Sequence, residues 1–238
     1  MTGTKMNSFI FVPVTSCHAS LTCICPESVP TNAAGESFAY NRHNSKSHDS
    51  STPVSNFNKN IAVLPYTHML LSTPIFDPSV TAADFSLEDV ISGQTVSLTD
   101  VDPSHGFVVA FICNHCPYVQ AVIDELVVTA NELKTKNIPV FAIMSNNYEF
   151  VEGDSPENMK VFASEHNFSF PYLVDEDQSA AKAYGAICTP DIFGFDSNSK
   201  MQYRGAVEGL KDAMLAITET GSTTADQTPS QGCSIKWK

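Results

Sequence analysis

Apolar positions after residue 82 follow two alternating rhythms, continuous runs and a helical repeat. Phe107 to Ile112 is an unbroken apolar run, as expected of a strand buried on both faces, and it stops abruptly at Cys113-Asn114-His115-Cys116. Immediately behind, Val119, Val122, Ile123, Leu126, Ala130 and Leu133 recur at helical spacing, and Pro117 falls in the first turn, where a missing N–H costs little. Ile138 to Met144 is a second buried run, so strand, helix and strand form a parallel βαβ unit. Upstream, Phe85-Ser86-Leu87 and Thr95-Val96-Ser97-Leu98 alternate around Ser92-Gly93-Gln94 and predict a hairpin. Downstream, Ser155 caps a helix that begins at Pro156 and buries Met159, Phe162 and Ala163. Phe170 to Val174 reads as a short strand, and Gln178 to Tyr184 as a short helix ended by Gly185. Ile192 to Phe195 and Met201 to Tyr203 form an antiparallel pair around Asp196-Ser197-Asn198. Leu210, Ala213, Met214 and Ile217 mark a last helix, and Gly221 to Lys238 reads as polar and irregular. The order predicts an α/β domain, a central mixed sheet with helices on both faces.

Composition changes the picture mainly at the N-terminus. Residues 1 to about 75 are rich in Ser, Thr, Asn and Pro and sustain no period, so residues 1–81 are expected to be a disordered or targeting extension. Their scarcity of acidic residues fits a transit peptide, and Ser8 to Cys25 is apolar enough for a weak signal core. The domain is expected over 82–220, with a tail over 221–238. The net charge of −13 is uneven: residues 1–75 carry +1 and the remainder −14. This acidity argues against nucleic acid and anionic membranes as partners. No stretch approaches the roughly 18 consecutive apolar residues of a membrane span. The expectation is a soluble protein, organellar or cytoplasmic. The seven cysteines are odd in number and irregular in spacing, which argues against a disulfide-stapled secreted scaffold.

The chemistry lies where the buried strand meets the helix. The unpaired N–H groups at a helix start favour a thiolate, so Cys113 is expected to be the more acidic and more exposed thiol. Cys116, one turn on, returns to the same face and can close a small disulfide ring. One sulfur attacks a partner disulfide and the other resolves the mixed disulfide. His115, cationic part of the time, favours the thiolate and a more oxidising pair. Cys-x-x-Cys also serves as half of a zinc site, but no second such pair follows, and the strand-then-helix setting suits redox use. Cys188 reads as a buried thiol, with a third redox thiol or a metal ligand as alternatives. Cys233 reads as a surface thiol in the tail, with capping or cross-linking of the site as the alternative. Arg204 reads as a solvated strand-end arginine, or else as a ligand for a carboxylate or peroxide oxygen.

These residues carry a resemblance. Ala83-Asp84-Phe85-Ser86-Leu87, Phe111 to Val119, Asp154-Ser155-Pro156-Glu157-Asn158-Met159, Ala183 to Asp191 and the closing Gly232 to Lys238 resemble the thioredoxin-like redoxins of the alkyl hydroperoxide reductase and thiol-specific antioxidant superfamily. The resemblance implies a thioredoxin-like fold with an N-terminal β-hairpin, Cys113 as attacking thiol, Cys116 as resolving thiol, and Pro190 as a cis proline facing the pair. It also implies that Thr189 pairs with substrate main chain. The substrate would be a protein or small-molecule disulfide or thiol, with no organic cofactor and no metal. Peroxidases of that superfamily carry proline and Thr or Ser seven and three residues before their cysteine, where this chain has Gly106 and Ala110. Thiol-disulfide exchange is therefore the expected activity; a peroxidase using Cys113, or a metal-binding module without turnover, are the alternatives. Thioredoxins also bury an acid near the pair, and Phe107 to Ile112 contains none.

Overall fold

A computed structural model describes residues 70–238, which belong to one unit, Ala62–Lys238. The transit-like and signal-like readings, with Cys17, Cys23 and Cys25, lie outside the described residues. The elements in order are β1 (Leu70–Ser72), β2 (Ser86–Asp89), β3 (Thr95–Ser97), β4 (Phe107–Phe111), α1 (Pro117–Lys134), β5 (Val140–Met144), α2 (Pro156–Glu165), β6 (Tyr172–Val174), α3 (Ser179–Tyr184), β7 (Cys188–Thr189), β8 (Asp191–Phe195), β9 (Met201–Gly205), α4 (Val207–Thr220) and β10 (Gln231–Ser234).

The main sheet has seven strands in the order β3-β2-β6-β5-β4-β8-β9. The pairs β4–β5 and β5–β6 are parallel, and the others antiparallel. β4 lies inside the sheet and every one of its residues is buried, which accounts for its unbroken apolar run. Its side chains alternate between faces. Val108 and Ala110 join a core with Ile123 and Leu126 of α1, Met159 of α2 and Leu210 of α4. Phe107, Val109 and Phe111 join a second core with Ala181 and Tyr184 of α3. Each fully buried Val, Leu, Ile, Phe or Met side chain among them contributes about 1.5–3 kcal/mol relative to exposure. The expected helices on both faces and the hairpin β2–β3 are thus present.

The helix ends follow their sequence signals. Ser155 Oγ accepts from Asn158 N at 3.4 Å ahead of Pro156, and Gly185 ends α3 with a φ of 63°.

Three short strands, β1, β7 and β10, occur where the sequence pattern marked none. β10 lies in the stretch read as an irregular tail, between β1 and β7 in a separate three-stranded sheet. Gln-Gly-Cys-Ser has no apolar alternation, and backbone pairing rather than side-chain pattern makes it a strand. No helix among the described residues is long and apolar enough to cross a membrane.

Candidate functional site

β4 ends at Phe111 and α1 starts at Pro117, so Cys113 lies in the connecting loop and Cys116 is the N-cap of α1. Both are free thiols and both are fully buried. The Thr189–Pro190 bond, expected to be cis, is cis. Thr189 meets both sulfurs: Cys113 Sγ shares a hydrogen bond of 3.1 Å with Thr189 Oγ1, and Cys116 Sγ donates to Thr189 O at 3.1 Å.

The acidity is the reverse of that expected. Burial pushes the Cys113 thiol up, reinforced by its hydrogen bond to Cys116 and by the Asp154 carboxylate. Cys116 is drawn down to about 4, chiefly by the hydrogen bond from Cys113, then by the thiol and N–H of Cys233. The reversal follows from the hydrogen bonds: Cys113 and Cys233 both donate toward Cys116 at the N-cap of α1, while Cys113 is buried beside the Asp154 carboxylate. Nor is Cys113 the more exposed thiol.

A depressed thiol contributes stability to the reduced protein that is present above its unfolded value of about 8.5 and lost as pH falls through the folded value. Reduced protein is therefore expected to lose stability relative to a Cys113–Cys116 disulfide form as pH drops from about 8.5 to about 4. Paired thermal melts across that range, with thiolate ultraviolet absorbance recorded in parallel, check this; a constant gap between the two forms would contradict it.

The buried acid missing from β4 comes instead from Asp154, fully buried ahead of α2. Its Oδ1 accepts from Asn114 N at 2.9 Å and His115 N at 3.2 Å. Its Oδ2 lies 2.6 Å from His115 Nδ1 and accepts from Asn146 Nδ2 at 2.8 Å. One carboxylate thus fixes the loop between the cysteines and the orientation of His115. Asn114 is clamped further: its Nδ2 donates to Gly153 O at 2.8 Å, and Tyr172 OH donates to its Oδ1 at 3.0 Å. In the sequence Asp154 is visible only as part of a helix entry, forty residues from the loop it organises.

Of three other candidates, Arg204 and Cys233 take places their residue types did not announce, and Cys188 takes the expected one. Arg204 is buried, not solvated: Nη2 and Nε donate to Asp191 Oδ2 and Oδ1 at 2.7 and 3.1 Å, and Nη2 also donates to Gly185 O. The pair holds the first residue of β8, directly behind Pro190. Cys188 is buried as expected, its thiol pushed up to about 12 by burial. Cys233 is 1% exposed rather than a surface thiol, and stands opposite Thr189 in the β10–β7 pairing.

Cys113, His115 and Asp154 also place one ligand atom each within 4.8 Å of one another. Beside Pro190 a groove of about 180 Å³ opens, lined by residues including Tyr118, Val122, Val207 and Gln231. A larger concavity of about 660 Å³ along Asp84 to Glu88 and Asp177 has no cysteine or histidine in its lining.

Comparison with known proteins places this geometry in context. The model of the AhpC/TSA family matches residues 78–204. The crystal structure of an uncharacterized conserved protein from Geobacillus kaustophilus is 42% identical over 71% of this chain and 97% of its own, with a TM-score of 0.68. A hypothetical protein from Sinorhizobium meliloti 1021 is 32% identical over 70% of this chain and 98% of its own, with a TM-score of 0.67. At 18% identity, over 60% of this chain and 99% of the other, the thioredoxin domain of a thiol-disulfide oxidoreductase from Bacteroides vulgatus has a TM-score of 0.50 and shares the fold. None of the curated proteins compared matches the sequence.

Proposed function

This chain belongs to the AhpC/TSA family and has a thioredoxin-like fold, and from that premise we propose a thiol-disulfide oxidoreductase whose Cys113 and Cys116 cycle between dithiol and disulfide. A redox role in general follows from family and fold. The observation that carries the specific reading is the pair itself: two free thiols sharing a hydrogen bond where β4 leads into α1, the Cys116 thiol drawn down, both against Thr189.

In this reading the proton held by Cys113 passes to Cys116 along their hydrogen bond, leaving Cys113 as the nucleophile. Cys113 Sγ attacks a partner disulfide, forming a mixed disulfide and expelling the partner's second sulfur as a thiolate. Cys116, its proton given up to that departing thiolate, then attacks Cys113 Sγ. The mixed bond breaks, the Cys113–Cys116 disulfide forms, and the partner's first sulfur leaves. The partner gains the two electrons the pair loses. His115, held by Asp154, lies beside Cys113, while Thr189 and Pro190 form the wall against which the sulfurs react. The partner is a protein or small-molecule disulfide, approaching over the groove beside Pro190. No organic cofactor is required.

Turnover of insulin disulfides in the presence of dithiothreitol is the expected result. Peroxide consumption without disulfide turnover would favour the peroxidase reading. The closeness of Cys113, His115 and Asp154 favours a metal site as the second reading. Against it, both Asp154 oxygens already accept hydrogen bonds from the cysteine loop or Asn146. Stoichiometric metal in protein purified under reducing conditions, with no turnover, would favour that second reading.

A further inference from the structure

The strand that carries Cys233 is built into the site. β10 runs antiparallel to β7, with Cys233 opposite Thr189 and Ser234 opposite Cys188. Thr189 is the residue whose carbonyl oxygen meets Cys116 Sγ, so the register brings Cys233 to the resolving thiol. The approach is close enough to require glycine at the preceding position, since a Cβ on Gly232 would lie 2.0 Å from Thr189 O. Both flanks are anchored. Ser230 Oγ donates to Gly205 O at 2.8 Å, and Ile235 N to Ile187 O at 3.0 Å. Lys236 N donates to Asn146 Oδ1 at 2.8 Å, and Lys236 O accepts from Asn147 N at 2.7 Å. Asn146 also holds Asp154, which joins the terminal segment to the cysteine loop. Cys113, Cys116 and Cys233 belong to one buried cluster.

We propose that Cys233 is a third redox thiol of this site, exchanging with the Cys113–Cys116 disulfide to give a Cys116–Cys233 disulfide and a free Cys113. The inference rests on the dithiol reading above and extends it. Cys233 Sγ attacks Cys116 Sγ, the Cys113–Cys116 bond breaks, and Cys113 leaves with the electron pair. The proton lost by Cys233 ends on Cys113, where burial and Asp154 favour the protonated thiol. One disulfide replaces another, so no outside oxidant enters the step. The thiol–thiolate contact of Cys233 with Cys116 agrees with this path. Burial pushes Cys233 up to about 12, so the exchange is slow at neutral pH. It should accelerate roughly tenfold per pH unit as the thiolate fraction grows. The product ties β10 to the start of α1 and leaves Cys113 as the free thiol of the site.

The test is oxidation of the full chain with glutathione disulfide, an acid quench, alkylation of remaining thiols and tryptic digestion without reduction. Cleavage after Lys134 and Lys211 puts Cys116 and Cys233 on different peptides, while Cys113 and Cys116 stay on one. The expected result is a Cys116–Cys233 linked pair beside the internal Cys113–Cys116 disulfide in the unaltered chain. Cys113→Ser should give the linked pair as its intramolecular disulfide, Cys188→Ser should keep it, and Cys233→Ser should lose it while retaining the internal disulfide. Internal disulfide in the unaltered chain, with no Cys116–Cys233 linked pair there or in Cys113→Ser, would overturn the proposal. Absence of the internal disulfide from the unaltered chain and from Cys233→Ser would instead overturn the dithiol reading, and the exchange step with it.

Discussion

Replacing Cys113 with serine is expected to lower insulin disulfide reduction by roughly three orders of magnitude or more, because the hydroxyl is far less acidic and less nucleophilic than the thiol. Serine is close to isosteric and Thr189 Oγ1 can still hydrogen-bond it, so the fold should persist. Cys116→Ser should fail differently. Attack by Cys113 remains possible, but resolution does not, and a mixed disulfide with the partner should accumulate. Without the Cys116 thiolate, Cys113 also loses the group to which it gives its proton, so adduct formation should be slow at neutral pH and faster in alkali. Steady-state rates, with non-reducing mass spectrometry of each variant, check both outcomes. A mixed disulfide with the partner accumulating on Cys113→Ser, or none on Cys116→Ser, would contradict the division of roles.

Arg204→Met is expected to be the most destabilising of the changes considered, at about 3–5 kcal/mol, because it leaves Asp191 as a buried and unpaired carboxylate. It also removes the guanidinium stacked 4.5 Å over Phe193. For a domain of this size the fall in Tm should be on the order of 10 °C. Asp191 already sits up at about 6, raised by burial against the pull of Arg204. Its folded value exceeds the unfolded one of about 3.9, so its contribution is fully present below that pH and lost as pH rises through the folded value. The deficit of Arg204→Met should accordingly be larger at pH 8 than at pH 5, since a proton can neutralise the stranded carboxylate. Adding Asp191→Leu should recover much of the loss. Melts of the unaltered chain and the two variants at both pH values decide the matter, and a pH-independent deficit would contradict the account.

What could be read from the chain and what could not divide along a physical line. β4, α1 and β5 were legible because burial on one or both faces writes itself into apolar periodicity, and the βαβ connection follows from it. The cis Thr189–Pro190 bond came only with the family resemblance, since no periodicity encodes it. The acidity of the two cysteines was misassigned because it is decided by their mutual hydrogen bond, by Cys233 and by the buried Asp154, partners that local sequence does not show. Asp154 and Arg204 were not legible in role: each acts on residues distant in sequence, and an isolated charged residue looks solvated until its partner is known. β10 was hidden for the opposite reason, since its four residues are polar or small and their strand character comes from the backbone of β1 and β7.

The central claim is that Cys113 and Cys116 form a reversible redox pair, and its most direct test is titration of the full chain against glutathione, read by thiol alkylation and mass spectrometry. The account predicts a two-electron transition whose Cys113–Cys116 disulfide, identified by its peptide, is absent from Cys113→Ser, with a midpoint on the oxidising side because the lowered Cys116 thiol favours the reduced form. Thiols that stay reduced or metal-bound across the whole range would contradict it.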